Sequence, residues 1–129
     1  VKRTTTVGSA DFIPEPERIA VFDNDGTLWP ENPIPFQMAF VLDCLRQQMT
    51  VLPERKEDPA VKAAFDGNLP NLMADHGKGL FRIVGLTHAG MTTEEFDKQV
   101  NTWLKSSKHP RFDRRYDECV YQPMLEVLG

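Results

Sequence analysis

The sequence predicts an α/β protein in which one core strand and its loop are followed by a mostly helical cap. Two observations predict it. A short apolar run, Ile19-Ala20-Val21-Phe22, ends in the turn-forming residues Asp23-Asn24-Asp25-Gly26-Thr27, the pattern of a buried strand. After that loop ~85 residues read almost wholly as helix. Such a chain makes sense as a helical insertion between the first and second strands of an α/β core. Residues 1–34 then start the core, 35–118 form the cap, and 119–129 return to the core.

Taken in order, Val1 to Arg18 is polar, contains Pro14 and Pro16, and reads as an arm entering the strand. Asp23 to Pro35 carries Pro30, Pro33 and Pro35 and is expected to be irregular. Phe36 to Met49 reads as a helix. Met38, Val41, Leu42, Leu45 and Met49 share one face, which Phe36, Phe40 and Cys44 widen. Asp58-Pro59 opens a second helix as N-cap and first helical residue, and Gly67 ends it. Pro70 to Val84 is a third helical region, interrupted by Gly77 and Gly79. Thr92 to Lys105 is the best-marked helix. Thr92 and Glu95 form a capping box, Met91 and Phe96 a staple, and Phe96, Val100, Trp103 and Leu104 the buried stripe. Pro123 starts the last helix.

The chemistry concentrates in Asp23 to Thr27. Two carboxylates follow the carboxyl end of a predicted strand, where ligands bind in open α/β sheets. One carboxylate nucleophile and one carboxyl acid/base suffice to hydrolyse a phosphate ester through an aspartyl-phosphate. Gly26 lets the backbone approach a ligand or adopt positive φ. Rival readings of the Asp-x-Asp fare worse. With Gly26 at position six, a calcium loop would start at Val21 and end at Asn32, without the required carboxylates. A glycosyltransferase would need a nucleotide-binding region upstream, and only 22 residues precede Asp23.

The run Val21-Phe22-Asp23-Asn24-Asp25-Gly26-Thr27-Leu28 resembles the strand-D-x-D-G-T-L signature of the haloacid dehalogenase-like hydrolase superfamily. FDNDGTLW, Phe22 to Trp29, is similar to a branch near phosphoserine phosphatase. The resemblance extends through Thr87-His88-Ala89-Gly90-Met91-Thr92 and Val120 to Leu125. It implies a Rossmannoid core and a magnesium-dependent phosphomonoester hydrolase acting on a small phosphorylated substrate. Asp23 would be nucleophile and Mg²⁺ ligand. Asp25 would be the general acid/base, lending its carbonyl to the metal. Thr27, Trp29 and Glu31 would be substrate-binding positions of the loop and flap. The position nine residues after the nucleophile holds Asn32, with Glu31 one place early. The Ser/Thr, Lys and Asp residues that complete the superfamily's site would follow Gly129, so the chain is expected to be the N-terminal part of a longer enzyme, inactive alone. The alternatives are a phosphotransferase of the same superfamily, or a non-catalytic helical cap that packs on another polypeptide or a second copy.

Composition narrows the partners. Apolar content of 40%, charged content of 26% and a net charge of −4 are ordinary for a globular domain. No basic block is present, which argues against nucleic acid. No apolar run approaches the ~18 residues of a membrane span, and no signal peptide is visible, leaving cytoplasm and periplasm both open. His76, His88 and His109 share no metal-ligand spacing. His88 reads as a turn residue within reach of a closing cap. Cys44 and Cys119 read as small buried residues. Lys108, Arg111, Arg114 and Arg115 form a small basic cluster, read as a solvated or ion-paired surface.

Overall fold

The computed structural model describes residues 1–129 and is built from helices alone. Six α-helices follow one another: α1 (Lys2–Thr5), α2 (Phe36–Val51), α3 (Pro59–Phe65), α4 (Leu69–His88), α5 (Thr93–Ser106) and α6 (Gln122–Leu128). Short 3-10 turns lie at Glu15–Glu17, Pro53–Glu57 and Tyr116–Glu118. There is no strand, only the isolated bridges Asp25–Trp29 and Lys108–Arg115.

This corrects the expected α/β class and the haloacid dehalogenase-like Rossmannoid core. Ile19–Phe22 forms no regular element and is unpaired. Neither the N–H nor the C=O of Ala20, Val21 or Phe22 makes a backbone hydrogen bond. The physical reason is local. A strand satisfies its backbone groups only against a neighbour, and no second segment of the chain forms one. Apolar character alone could not supply the missing partner.

The remainder organises around α2. Its Phe36, Ala39, Phe40 and Cys44 pack with Trp103 of α5 and with Tyr116 and Cys119 of the returning segment. Its Val41 and Leu45 pack with Val61, Ala63 and Ala64 of α3 and with Leu72 and Ile83 of α4. The helix is therefore sandwiched between two layers, which is why apolar residues extend around more than one face. Polar ties reinforce both sides. Trp103 Nε1 donates to Asp43 Oδ2 at 2.9 Å, and Arg55 donates to the Leu86 carbonyl at 2.9 Å and to Gln48.

Local chemistry sets the boundaries. The Asp58 side chain accepts from Ala60 N with Pro59 in the first turn, so α3 begins as its sequence dictates. α5 carries the reciprocal Thr92–Glu95 capping box. α4 is broken at Ala74 to Gly77, where Asp75, His76 and Gly77 take left-handed φ of 50°, 60° and 79°. The break folds the second segment back on the first. A Cβ on Gly79 would stand 2.9 Å from Leu72 Cα and 3.0 Å from its carbonyl oxygen. Helix propensity alone would make Gly79→Ala stabilising by about 1 kcal/mol. The backbone overlap reverses the sign, and a loss of about 1–3 kcal/mol is expected in urea unfolding. A raised midpoint would show that the two segments do not meet there.

Only 18 of the 129 residues are buried. The core is thin, and much apolar surface is left outside it.

Candidate functional site

The loop after Phe22 is closed by its own backbone. The Asn24 carbonyl accepts from the N–H groups of Thr27, Leu28 and Trp29 at 3.1, 2.8 and 3.3 Å, and Gly26 N donates to Trp29 O at 2.7 Å. Gly26 sits at φ +73°, with the Glu31 carboxyl carbon 3.4 Å from where a Cβ would be. Any other residue would be strained there.

Each residue singled out from sequence has a definite place. Asp23 is exposed, and its Oδ1 accepts from Asn24 N at 2.8 Å. Asp25 is half-buried and accepts from Trp29 Nε1 at 2.9 Å. Trp29 stacks on Phe36, centroids 5.4 Å apart and planes 11° apart. It therefore pins the loop to α2. Thr27 is half-buried and Glu31 exposed. The loop is also tied to the end of the chain, because Tyr121 N donates to Leu28 O at 2.9 Å.

The expected hydrolase is overturned by this arrangement. An aspartyl-phosphate site of the expected class needs a sheet to hold the loop and present its other groups. The loop here hangs between an exposed segment and α2, with no sheet beneath it. Nor does any group of three or more His, Cys, Asp or Glu side chains come together to hold a metal. Without that sheet core, the chain does not have the architecture of an aspartyl-phosphate hydrolase or phosphatase of that class. The Asp23 carboxylate and the Asp25 carbonyl by themselves fall short of the six-oxygen set that Mg²⁺ favours.

His88 lies at the end of α4 and not in a free turn. Its ring meets Phe40 edge-on at 5.4 Å and Phe96 at 5.0 Å, and its Nδ1 contacts the Thr87 hydroxyl. Burial holds its imidazole below the ordinary 6.5, against a smaller upward pull from the Val84 carbonyl. As pH falls through the unfolded value, the unfolded chain takes up this proton first. The contribution to stability is full above that value and is lost toward the lower folded one. His88→Phe is expected to keep the ring packing and flatten the fall in urea midpoint between about pH 7 and about pH 5. An unchanged slope would remove His88 from the account.

His109 was not singled out for burial by its sequence context, yet it is 1% exposed. It lies against Phe112, Phe36 and Tyr116, with Nδ1 accepting from Arg111 N at 3.2 Å. Two members of the nearby basic cluster are ion-paired. Lys108 pairs with Asp113, and Arg115 with Asp117 and Glu118. Cys44 and Cys119 are buried and free. Burial, with Asp43 beside it, pushes the Cys44 thiol up to about 11, so it is not a thiolate nucleophile.

What remains without an internal role is the segment before the loop. Ile19 is 82% exposed and Val21 90%, and the backbone groups of Ala20, Val21 and Phe22 have no partners. No helix is long and apolar enough to cross a membrane. No family model matches this sequence, and no curated protein matches it.

Proposed function

We propose that this chain is a non-catalytic helical interaction module that docks on another polypeptide by adding Ile19–Phe22 to the open edge of its β-sheet. The observation that carries this reading is the segment itself: apolar, exposed and hydrogen-bonded to nothing through Ala20, Val21 and Phe22. Strand addition is the recognition mode such a segment suits, because main-chain bonds supply affinity and alternate side chains fill pockets. Ile19 and Val21 would fall on one face of the pleat and Ala20 and Phe22 on the other. Both faces are apolar, so the receiving edge belongs to a sheet covered on both sides.

A second copy of the chain fits poorly. Symmetric antiparallel pairing allows two central registers. One sets Glu17 opposite Asp23, and the other sets Glu17 opposite Asp25, and like charges directly opposite are destabilising. Glu15, Glu17, Asp23 and Asp25 flank the segment against a single Arg18. The partner's edge is therefore one flanked by Lys or Arg. The same acidic flanks disfavour an anionic lipid surface.

The test is light scattering on the protein purified gently from the cells that make it, beside a Val21→Asp variant. The helical body should be unchanged in the variant, since Val21 is 90% exposed. Wild type should elute in a complex and the variant as the free chain. Co-elution of both in the same complex would contradict strand addition.

A further inference from the structure

Helix α4 reverses direction in its middle, and the reversal is strained. Asp75, His76 and Gly77 hold φ of 50°, 60° and 79° in succession. Glycine takes that region freely, whereas aspartate and histidine enter it against the crowding of their Cβ. No strong contact offsets this. Ala74, Asp75 and His76 are exposed. The one ion pair there, Lys78 to Asp75 at 3.7 Å, joins two exposed side chains and is worth little. The residues on either side are already helical, so a straightened hinge gives one continuous helix of 20 residues, ~30 Å long.

The contacts across the reversal join two halves of the chain. The bonds of Asp43 to Trp103, Asp58 to Arg82 and Arg55 to the Leu86 carbonyl each tie a residue before Ala74 to one after Gly77. Both core clusters divide at the same place. Phe40 precedes the hinge and Trp103 follows it; Leu72 precedes it and Ile83 follows. In a straight α4, Leu72 and Ile83 would stand ~16 Å apart along the axis, and one chain could no longer bury both together. A second copy opened in the same way presents the same two halves.

We propose that the reversal in α4 is the hinge of a domain-swapped dimer, in which α2 and α3 of each copy pack on the second segment of α4 and on α5 of the other. Exchange of identical parts re-forms every contact except those at the hinge. The left-handed residues weaken the closed form, while Gly77 and Gly79 weaken the straight helix, so concentration selects between them. This is independent of strand addition, because Ala20, Val21 and Phe22 belong to neither core cluster.

The test is light scattering on the chain refolded from urea over a range of concentrations. Wild type should pass from monomer to dimer as concentration rises. Gly77→Ala has room, since a Cβ there meets only Phe81 Cε2 at 3.9 Å. It opposes the left-handed turn and favours the straight helix. Two hinges open per dimer, so association should strengthen about 100-fold or more. Asp75→Gly combined with His76→Gly does the reverse and should weaken association by a similar factor. In a dimer refolded from chains labelled half with a nitrogen isotope and half with a carbon isotope, the nuclear Overhauser contact of the Trp103 indole with the Phe40 ring should run between the two labels. A wild type that stays monomeric throughout, a dimer that keeps this contact within one label, or a double variant that dimerises as well as wild type would each overturn the hinge. Should Gly77→Ala fail to fold, the comparison of wild type with the double variant decides.

Discussion

Trp103→Ala is expected to cost about 3–5 kcal/mol of folding stability, enough to leave a domain of this size partly unfolded at room temperature. Trp103 is 6% exposed and joins three parts of the chain. Its ring stacks on Tyr116 at 4.1 Å and meets Phe40 edge-on at 5.4 Å, while its Nε1 donates to Asp43. Truncation removes these contacts, leaves a cavity between α2 and α5, and strips the half-buried Asp43 of one donor. Because Arg46 also reaches Asp43, the carboxylate is not left wholly unpaired, and the packing loss dominates. Urea unfolding followed by circular dichroism gives the number. A loss below about 1 kcal/mol would mean that this cluster does not hold α5 to α2.

Proline at Ala20 or Val21 is expected to weaken association about 10–100-fold while leaving the helices intact. Adjacent residues of a strand direct their N–H groups to opposite sides, so one of the two positions donates to the partner edge. Proline there removes the donor and leaves the partner's carbonyl buried and unsatisfied. The other proline should be milder. This asymmetry separates strand addition from simple hydrophobic contact, in which the two prolines would act alike. Titration of each variant against the partner isolated with wild type reads the difference directly.

The helical part of the fold was legible because its signals are local. Asp58-Pro59 and the Thr92–Glu95 box state where α3 and α5 begin, and the structure places them there. The two apolar rows of α2 were visible as a widened face, and they proved to serve two layers. Gly77 and Gly79 marked an interruption of α4, but not that Asp75 and His76 would share the left-handed turn. The strand was misread for a reason that is not local. Ile19–Phe22 has the composition of a core strand, and composition does not reveal whether a neighbour exists to pair with it. The candidate site suffered the same limit. Asp25 and Trp29 were both noticed, yet the bond between them and the stack of Trp29 on Phe36 depend on where α2 lies. The tie of Tyr121 to Leu28 links residues far apart in sequence and left no periodic trace.

The most direct measurement is residue-resolved amide hydrogen exchange on the isolated chain and again on the complex. In the isolated chain the Ala20, Val21 and Phe22 amides should exchange at unprotected rates, while the Leu45 amide in the middle of α2 is strongly protected. In the complex, alternate amides of the segment should slow by about ten-fold or more, in the every-second-residue pattern of a sheet edge. Protection of Ala20 to Phe22 already present in the isolated chain, or no change on complex formation, would contradict the docking role assigned to this segment.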